Sequence, residues 1–158
     1  GPEAYIRGET VGASMISQRA KYALRALLAL CKAPPEASLM IAEISEKQAI
    51  PKKFLEQILL DLKRAGIVAS RRGRLGGYVL VRPADKLTFG EVLRLIDGPI
   101  APLPCLSKIA YRRCNDCADE ATCEIRHVFA GVVKAQREVL DHTTFDARPG
   151  GRLPPISL

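Results

Sequence analysis

At 158 residues, with 47% apolar and 26% charged side chains, the chain has the size and balance of one soluble globular domain able to bury a real core. Its longest apolar run, Ala26–Cys31, falls far short of the roughly 20 residues that span a bilayer. This argues against a membrane protein and for the cytoplasm, where clustered cysteines read as metal or redox chemistry rather than disulfides. The net charge of +7 is unevenly spread: residues 15–98 hold 15 Lys and Arg against 8 Asp and Glu, whereas residues 99–145 hold six of each. An excess confined to the first half is the distribution expected of a unit that meets a polyanion.

Residues 1–14 lack periodicity and read as a tag remnant ahead of a natural start at Met15, and the Pro/Gly-rich residues 146–158 read as a tag or disordered tail. Between them, the spacing predicts a helix over Met15–Lys32, with Ala20, Leu24, Leu27, Leu28 and Cys31 on its inner face and Pro34-Pro35 ending it. Cys31 reads there as a small core hydrophobe. A short helix over Leu39–Lys47 follows, with Ser38 as its cap and Ile41 and Ile44 turned inward. Gln48-Ala49-Ile50 forms a tight turn, and Pro51 suits the first position of a third helix running to Ala65. Its inner stripe is Phe54, Leu55, Ile58, Leu59 and Leu62, and Gly66 stops it. Two helices in this arrangement, the second opening on basic side chains, form a helix-turn-helix.

Ile67–Arg72 and Tyr78–Arg82 then read as two strands of a hairpin, with Gly76-Gly77 supplying positive φ at its tip. A basic hairpin directly after a helix-turn-helix is a wing. Thr88-Phe89-Gly90-Glu91 resembles a capping box for a helix ending at Asp97-Gly98. Pro99–Cys123 has no sustained period and reads as a loop; Glu124–Leu140 closes the fold as a long helix. That helix carries two apolar stripes, one of Ile125, Val128, Val132, Ala135 and Val139, the other of Phe129, Val133 and Leu140. So wide an apolar arc calls for burial on two sides, one of them against a symmetry mate. The expected class is therefore mainly α with a small β-hairpin: a winged helix-turn-helix domain over residues 15–98, a cysteine-rich sensor loop over 99–123, and a dimerisation helix over 124–145.

The open face of the third helix offers Lys52, Lys53, Glu56 and Gln57 at its N-terminal end. Gln57 suits a bidentate contact to adenine, Glu56 a cytosine amine, and Lys53 a guanine or phosphate. The wing adds Arg71, Arg72 and Arg74 without an acidic neighbour, and arginine at a hairpin tip fits a narrow minor groove. Double-stranded DNA is the implied partner.

Cys105, Cys114, Cys117 and Cys123 follow the spacing C-x8-C-x2-C-x5-C. Thiolates select zinc, copper(I) or iron–sulfur clusters, and four complete either a zinc site or a cluster's ligand set. Only Cys114 and Cys117 have the short spacing of structural zinc sites, so the wider gaps favour an iron–sulfur cluster, [2Fe-2S] or [4Fe-4S], with zinc or a metal-free thiol switch as alternatives. Lys108, Arg112 and Arg113 would offset a cluster's negative charge, and His127 is a possible substitute ligand more simply read as a surface histidine. No general base beside the cysteines argues for an enzyme.

Five segments together resemble the Rrf2 family of bacterial regulators: Tyr22-Ala23-Leu24-Arg25, Phe54-Leu55-Glu56-Gln57, Ala65-Gly66-Ile67-Val68, Ile96-Asp97-Gly98-Pro99-Ile100 and, above all, the wing run Arg72-Gly73-Arg74-Leu75-Gly76-Gly77-Tyr78. The resemblance implies a homodimer with crossed long helices, near-palindromic operators, and a cluster loop between the last two helices. It places Lys53, Glu56 and Gln57 where relatives read bases, and Arg72 where they enter the minor groove. Cys105, Cys117 and Cys123 match the three loop cysteines of cluster-binding relatives, and Cys114 is additional. Lys21 stands where nitric-oxide sensors carry an acidic ligand. Arg126 stands where the iron–sulfur regulator has a histidine ligand, which favours an all-cysteine set. Gly98-Pro99-Ile100 and Leu140-Asp141-His142-Thr143-Thr144 resemble the branch that answers to a metabolic-enzyme partner instead of a metal.

Overall fold

The computed structural model describes residues 16–34, 37–74, 76–146 and 156–158. The expectations for residues 1–14, for a start at Met15, for Pro35 and for most of the C-terminal tail lie outside these. Helix α1 (Gln18–Lys32) starts where Ser17 Oγ accepts a hydrogen bond from the Ala20 N–H at 2.9 Å. Its buried face is Ala20, Ala23, Leu24, Ala26, Leu27 and Leu30, while Leu28 and Cys31 are only half-buried. The inner face is thus turned towards the alanines, whose small side chains let neighbouring helices approach closely.

Helix α2 (Ile41–Gln48) begins two residues later than its apolar pattern suggests. Ser38 does not cap it; Ser38 Oγ donates to the Gly76 carbonyl at 3.3 Å. Leu39 is held by the wing through paired backbone hydrogen bonds with Tyr78, at 2.9 and 2.7 Å, so the residues before α2 act as a third strand-like edge. Ala49 turns the chain at φ 52°, and Pro51 caps rather than opens helix α3 (Lys52–Arg64). Leu55, Ile58, Leu59 and Leu62 are buried as the spacing predicts. Phe54 is not: it is 57% exposed, with its ring 6.4 Å from that of Tyr22. Position 54 falls at the edge of the apolar arc, and α1 covers only its centre.

Strands β1 (Val68–Arg71) and β2 (Gly77–Leu80) pair antiparallel, with Val68 opposite Leu80 and Arg71 opposite Gly77. The left-handed glycines of the tip are Gly73 (φ 96°) and Gly77 (φ 136°); Gly76 is not one of them. Gly76 is required for proximity, since a Cβ there would stand 2.7 Å from the Gly73 carbonyl oxygen. Helix α4 (Phe89–Asp97) takes its N-cap from Thr88, whose Oγ accepts from the Glu91 N–H at 3.1 Å. The reciprocal half of the capping box is replaced: the Glu91 carboxylate accepts two 2.9 Å hydrogen bonds from Arg82. Short 3-10 turns at Pro104–Leu106 and Glu120–Thr122 punctuate the cysteine loop, and helix α5 (Glu124–Leu140) follows.

One core joins α1, α2, α3, α4 and the base of the hairpin. Phe145 also belongs to it and is fully buried. Beyond α5 the chain folds back, with Thr144 bridging Thr88 and the Phe145 N–H donating to the carbonyls of Ala84 and Leu87 at 3.2 Å each. The far end of α5 is thereby fastened to the wing domain. Along α5 itself only Val133 is fully buried, and Ile125, Val128, Val132 and Val139 are exposed.

Candidate functional site

On the open side of α3, Lys52, Lys53, Glu56 and Gln57 are all exposed, and Arg71, Arg72 and Arg74 are exposed along the hairpin. The helix places Lys52 and Lys53 at its positive end, with no acidic residue in the first turn. Cations there oppose the helix dipole by a few tenths to about 1 kcal/mol each. An approaching phosphate removes this penalty and gains both the lysines and the free amide N–H groups. Behind this face, Arg19 pairs with Asp61 and Lys63 donates to Ser70 at 2.9 Å, tying α3 to its neighbours and fixing the angle at which it is presented.

The four loop cysteines share one cavity of about 440 Å³, together with Glu120, Ile125 and Arg126. Cys105 is almost wholly buried by the turn at Pro104–Leu106, and the other three are half-buried. Burial pushes the Cys114 thiol up, and the neighbouring Cys105, Asp116 and Cys117 act in the same direction. Cys123 caps α5, its Sγ accepting from the Arg126 N–H at 3.4 Å. The Arg126 guanidinium donates to the Cys105 carbonyl at 3.5 Å, and its buried Nε–H has no acceptor. The charge itself is paired, with Glu120 Oε2 3.9 Å from Arg126 Nη2, so the unmet group is the Nε–H alone, on a residue that lines the cysteine cavity.

Among the described residues, no group of three His, Cys, Asp or Glu side chains stands ready to hold a single metal ion. Four thiols lining one cavity are a donor set that could hold an iron–sulfur cluster, and the same wall carries the carboxylates of Asp116, Asp119 and Glu120. The flanking cations divide. Arg113 donates to the carbonyls of Cys117 and Ala118 at 3.2 Å each and so braces the Cys114–Cys117 turn. Lys108 faces a separate cavity. The His127 ring bonds the Cys123 carbonyl at 2.9 Å and does not line the cysteine cavity. Sequence reasoning gave Arg126 no role of its own; its place one helical turn after Cys123 was the available signal.

A helix-turn-helix with a basic wing, built on one core with a trailing long helix, defines a winged-helix protein. The family model described as "Rrf2: Iron-dependent Transcriptional regulator" matches residues 16–147. An rrf2-like HTH-type transcriptional regulator of Rhodobacter capsulatus is 52% identical over 136 residues, covering 84% of this chain and 90% of the relative. The HTH-type transcriptional regulator CymR of Bacillus subtilis is 32% identical over 131 residues, covering 83% and 86%. The solved structure of CymR, the global cysteine regulator of B. subtilis, superposes with a TM-score of 0.69 at 31% identity, covering 83% of this chain and 92% of that one. The chain belongs to the Rrf2 family of helix-turn-helix transcriptional regulators and is a regulator, not an enzyme. Among the described residues, no helix is long and apolar enough to cross a membrane.

Proposed function

We propose that this chain is a cytoplasmic homodimeric regulator that reads a near-palindromic operator and whose affinity for it is set by an iron–sulfur cluster on the loop cysteines. The observation that carries the cluster reading is the single cavity shared by Cys105, Cys114, Cys117, Cys123 and the unpartnered Nε–H of Arg126. The four cysteines would hold the cluster, and the cluster would supply a redox-sensitive, oxidant-labile centre. Arg126 would set its electrostatic surroundings, and Arg113 the position of Cys117. The family description, which names iron dependence, agrees.

DNA reading is assigned to Lys52, Lys53, Glu56 and Gln57 in the major groove and to Arg71, Arg72 and Arg74 along the backbone and minor groove. The dimer reading rests on the exposed stripe of Ile125, Val128, Val132, Ala135 and Val139, an apolar face too long to leave in water.

Anaerobic purification followed by an absorption spectrum and iron, sulfide and zinc analysis tests the cluster. Iron and acid-labile sulfide in stoichiometric amounts with visible absorption are expected. A colourless protein without either refutes it, and stoichiometric zinc would replace it with a structural site.

A metal-free thiol switch is the second reading, favoured by Cys105, Cys114, Cys117 and Cys123 lining one cavity as free thiols. It requires an oxidant response that survives complete iron removal and is lost in Cys114→Ser.

A further inference from the structure

A second cavity lies where the first half of the cysteine loop meets α4 and the end of α5. It encloses about 170 Å³, and its wall includes Arg94, Ile100, Ser107, Lys108, Arg137 and Asp141. Three cations thus face one carboxylate. That carboxylate is already paired: Asp141 Oδ2 accepts from Arg94 Nη2 at 2.9 Å, and Oδ1 lies 2.7 Å from the same nitrogen without a hydrogen bond of its own. Arg137 Nη2 donates to the Leu106 carbonyl at 3.1 Å, leaving the rest of its fork for another acceptor. Lys108 is exposed at the rim of the same cavity. Ser107 is 8% exposed, and its Oγ accepts from the Ala110 N–H at 2.9 Å, so its own hydroxyl proton remains to be given.

Donors from three elements therefore converge on one cavity. The cavity wall thus carries a local excess of two positive charges, which favours an anionic occupant. Its volume is below the 300–1,000 Å³ typical of pockets for larger ligands, which limits the occupant to a few heavy atoms.

We propose that this cavity is an effector site for a small oxyanion, a phosphate or a short-chain carboxylate, held by Ser107, Lys108 and Arg137. The anion would also compete with Asp141 for Arg94 and so act on a salt bridge that ties α4 to the end of α5. Its consequence for DNA binding rests on the regulator reading given above; the binding itself does not.

Calorimetric titration of the full chain with inorganic phosphate, and separately with acetate, tests the site without DNA or metal, at an ionic strength held constant with chloride. Saturable binding of one anion per chain is expected for at least one of the two. The responding anion identifies the class. Lys108→Ala removes a charge-assisted contact at the exposed rim and should weaken that binding about tenfold. Arg137→Lys, which keeps the charge but loses the fork, should weaken it too, and the exposed Lys134→Ala should leave it unchanged. No saturable binding of either anion, or equal affinity in wild type and Lys108→Ala, overturns the proposal.

Discussion

Phe145→Ala tests whether the chain beyond α5 is a structural part of the wing domain. The Phe145 ring is fully buried and stacks on Phe89 with ring centroids 4.6 Å apart and planes 19° apart. An aromatic side chain of this kind removes roughly 150–250 Å² from water, and at about 25 cal/mol per Å² that is about 4–6 kcal/mol. Alanine retains part of it, the cavity adds a cost, and core Phe→Ala changes centre on about 3–5 kcal/mol. Against a total stability of about 5–15 kcal/mol this is a large loss. The assay is urea denaturation at one fixed protein concentration, because self-association would otherwise shift the midpoint by mass action. The exposed Lys134→Ala serves as control and should stay within about 0.5 kcal/mol of wild type. A loss below about 1 kcal/mol for Phe145→Ala, with an unchanged slope, would refute the docking of this segment.

Gly77→Ala should destabilise the wing severely: a Cβ there would stand 2.4 Å from the Leu39 carbonyl oxygen, in a backbone conformation with φ 136°. Loss of soluble folded protein or of several kcal/mol in urea is expected, and a wild-type midpoint contradicts the Leu39–Tyr78 edge. Arg72→Ala should weaken DNA binding and lower the log–log salt slope by about 1, whereas an unchanged slope denies the cationic contact. Gln57→Ala should relax preference at one base pair of each half-site, by about 1–3 kcal/mol; retention of full operator discrimination removes Gln57 from base reading. Val132→Asp should dissociate the proposed dimer in sedimentation equilibrium, since it sets a carboxylate in the middle of the exposed α5 stripe. An unchanged molecular mass would place the interface elsewhere.

Periodic segments were legible because burial follows period where an element is long. The stripe of Leu55, Ile58, Leu59 and Leu62 and the limits of α5 could be read directly from the residues. Errors arose where tertiary partners override a local preference. Ser38 is a good capping residue, yet Leu39 gains two hydrogen bonds by pairing with Tyr78, and the start of α2 moves to accommodate them. Glu91 suits a capping box, but Arg82 offers a charged fork within reach. Phe54 sits on the predicted face but past the edge of α1's cover, and Phe145 is an isolated aromatic whose core position no period announces. For the cysteines, the spacing suggested a donor set. Only the fold could show that all four line one cavity, or that Arg126, with its unpaired Nε–H, shares that lining.

The two ends of α5 suggest how a change at the cysteines would reach the DNA-reading face. At its start, Cys123 is at once a loop thiol and the helix cap, so ligation or loss of ligation at Sγ acts directly on the Arg126 N–H and on the positive end of the helix. At its finish, Asp141 grips Arg94 and Phe145 is locked into the core beside Phe89. A rigid helix of 17 residues pinned at its far end turns a displacement of its first turn into rotation, rather than letting it dissipate in a loop. In the proposed dimer that rotation would be expressed across the Ile125–Val139 stripe, altering the separation of two recognition helices that must meet half-sites about one helical turn of DNA apart. Cutting the pin while leaving the cysteines intact therefore separates sensing from response. Asp141→Asn should preserve iron and sulfide content while reducing the difference in DNA affinity between metal-loaded and metal-free protein. An affinity difference equal to that of wild type would show that the signal does not pass through the Arg94–Asp141 pair.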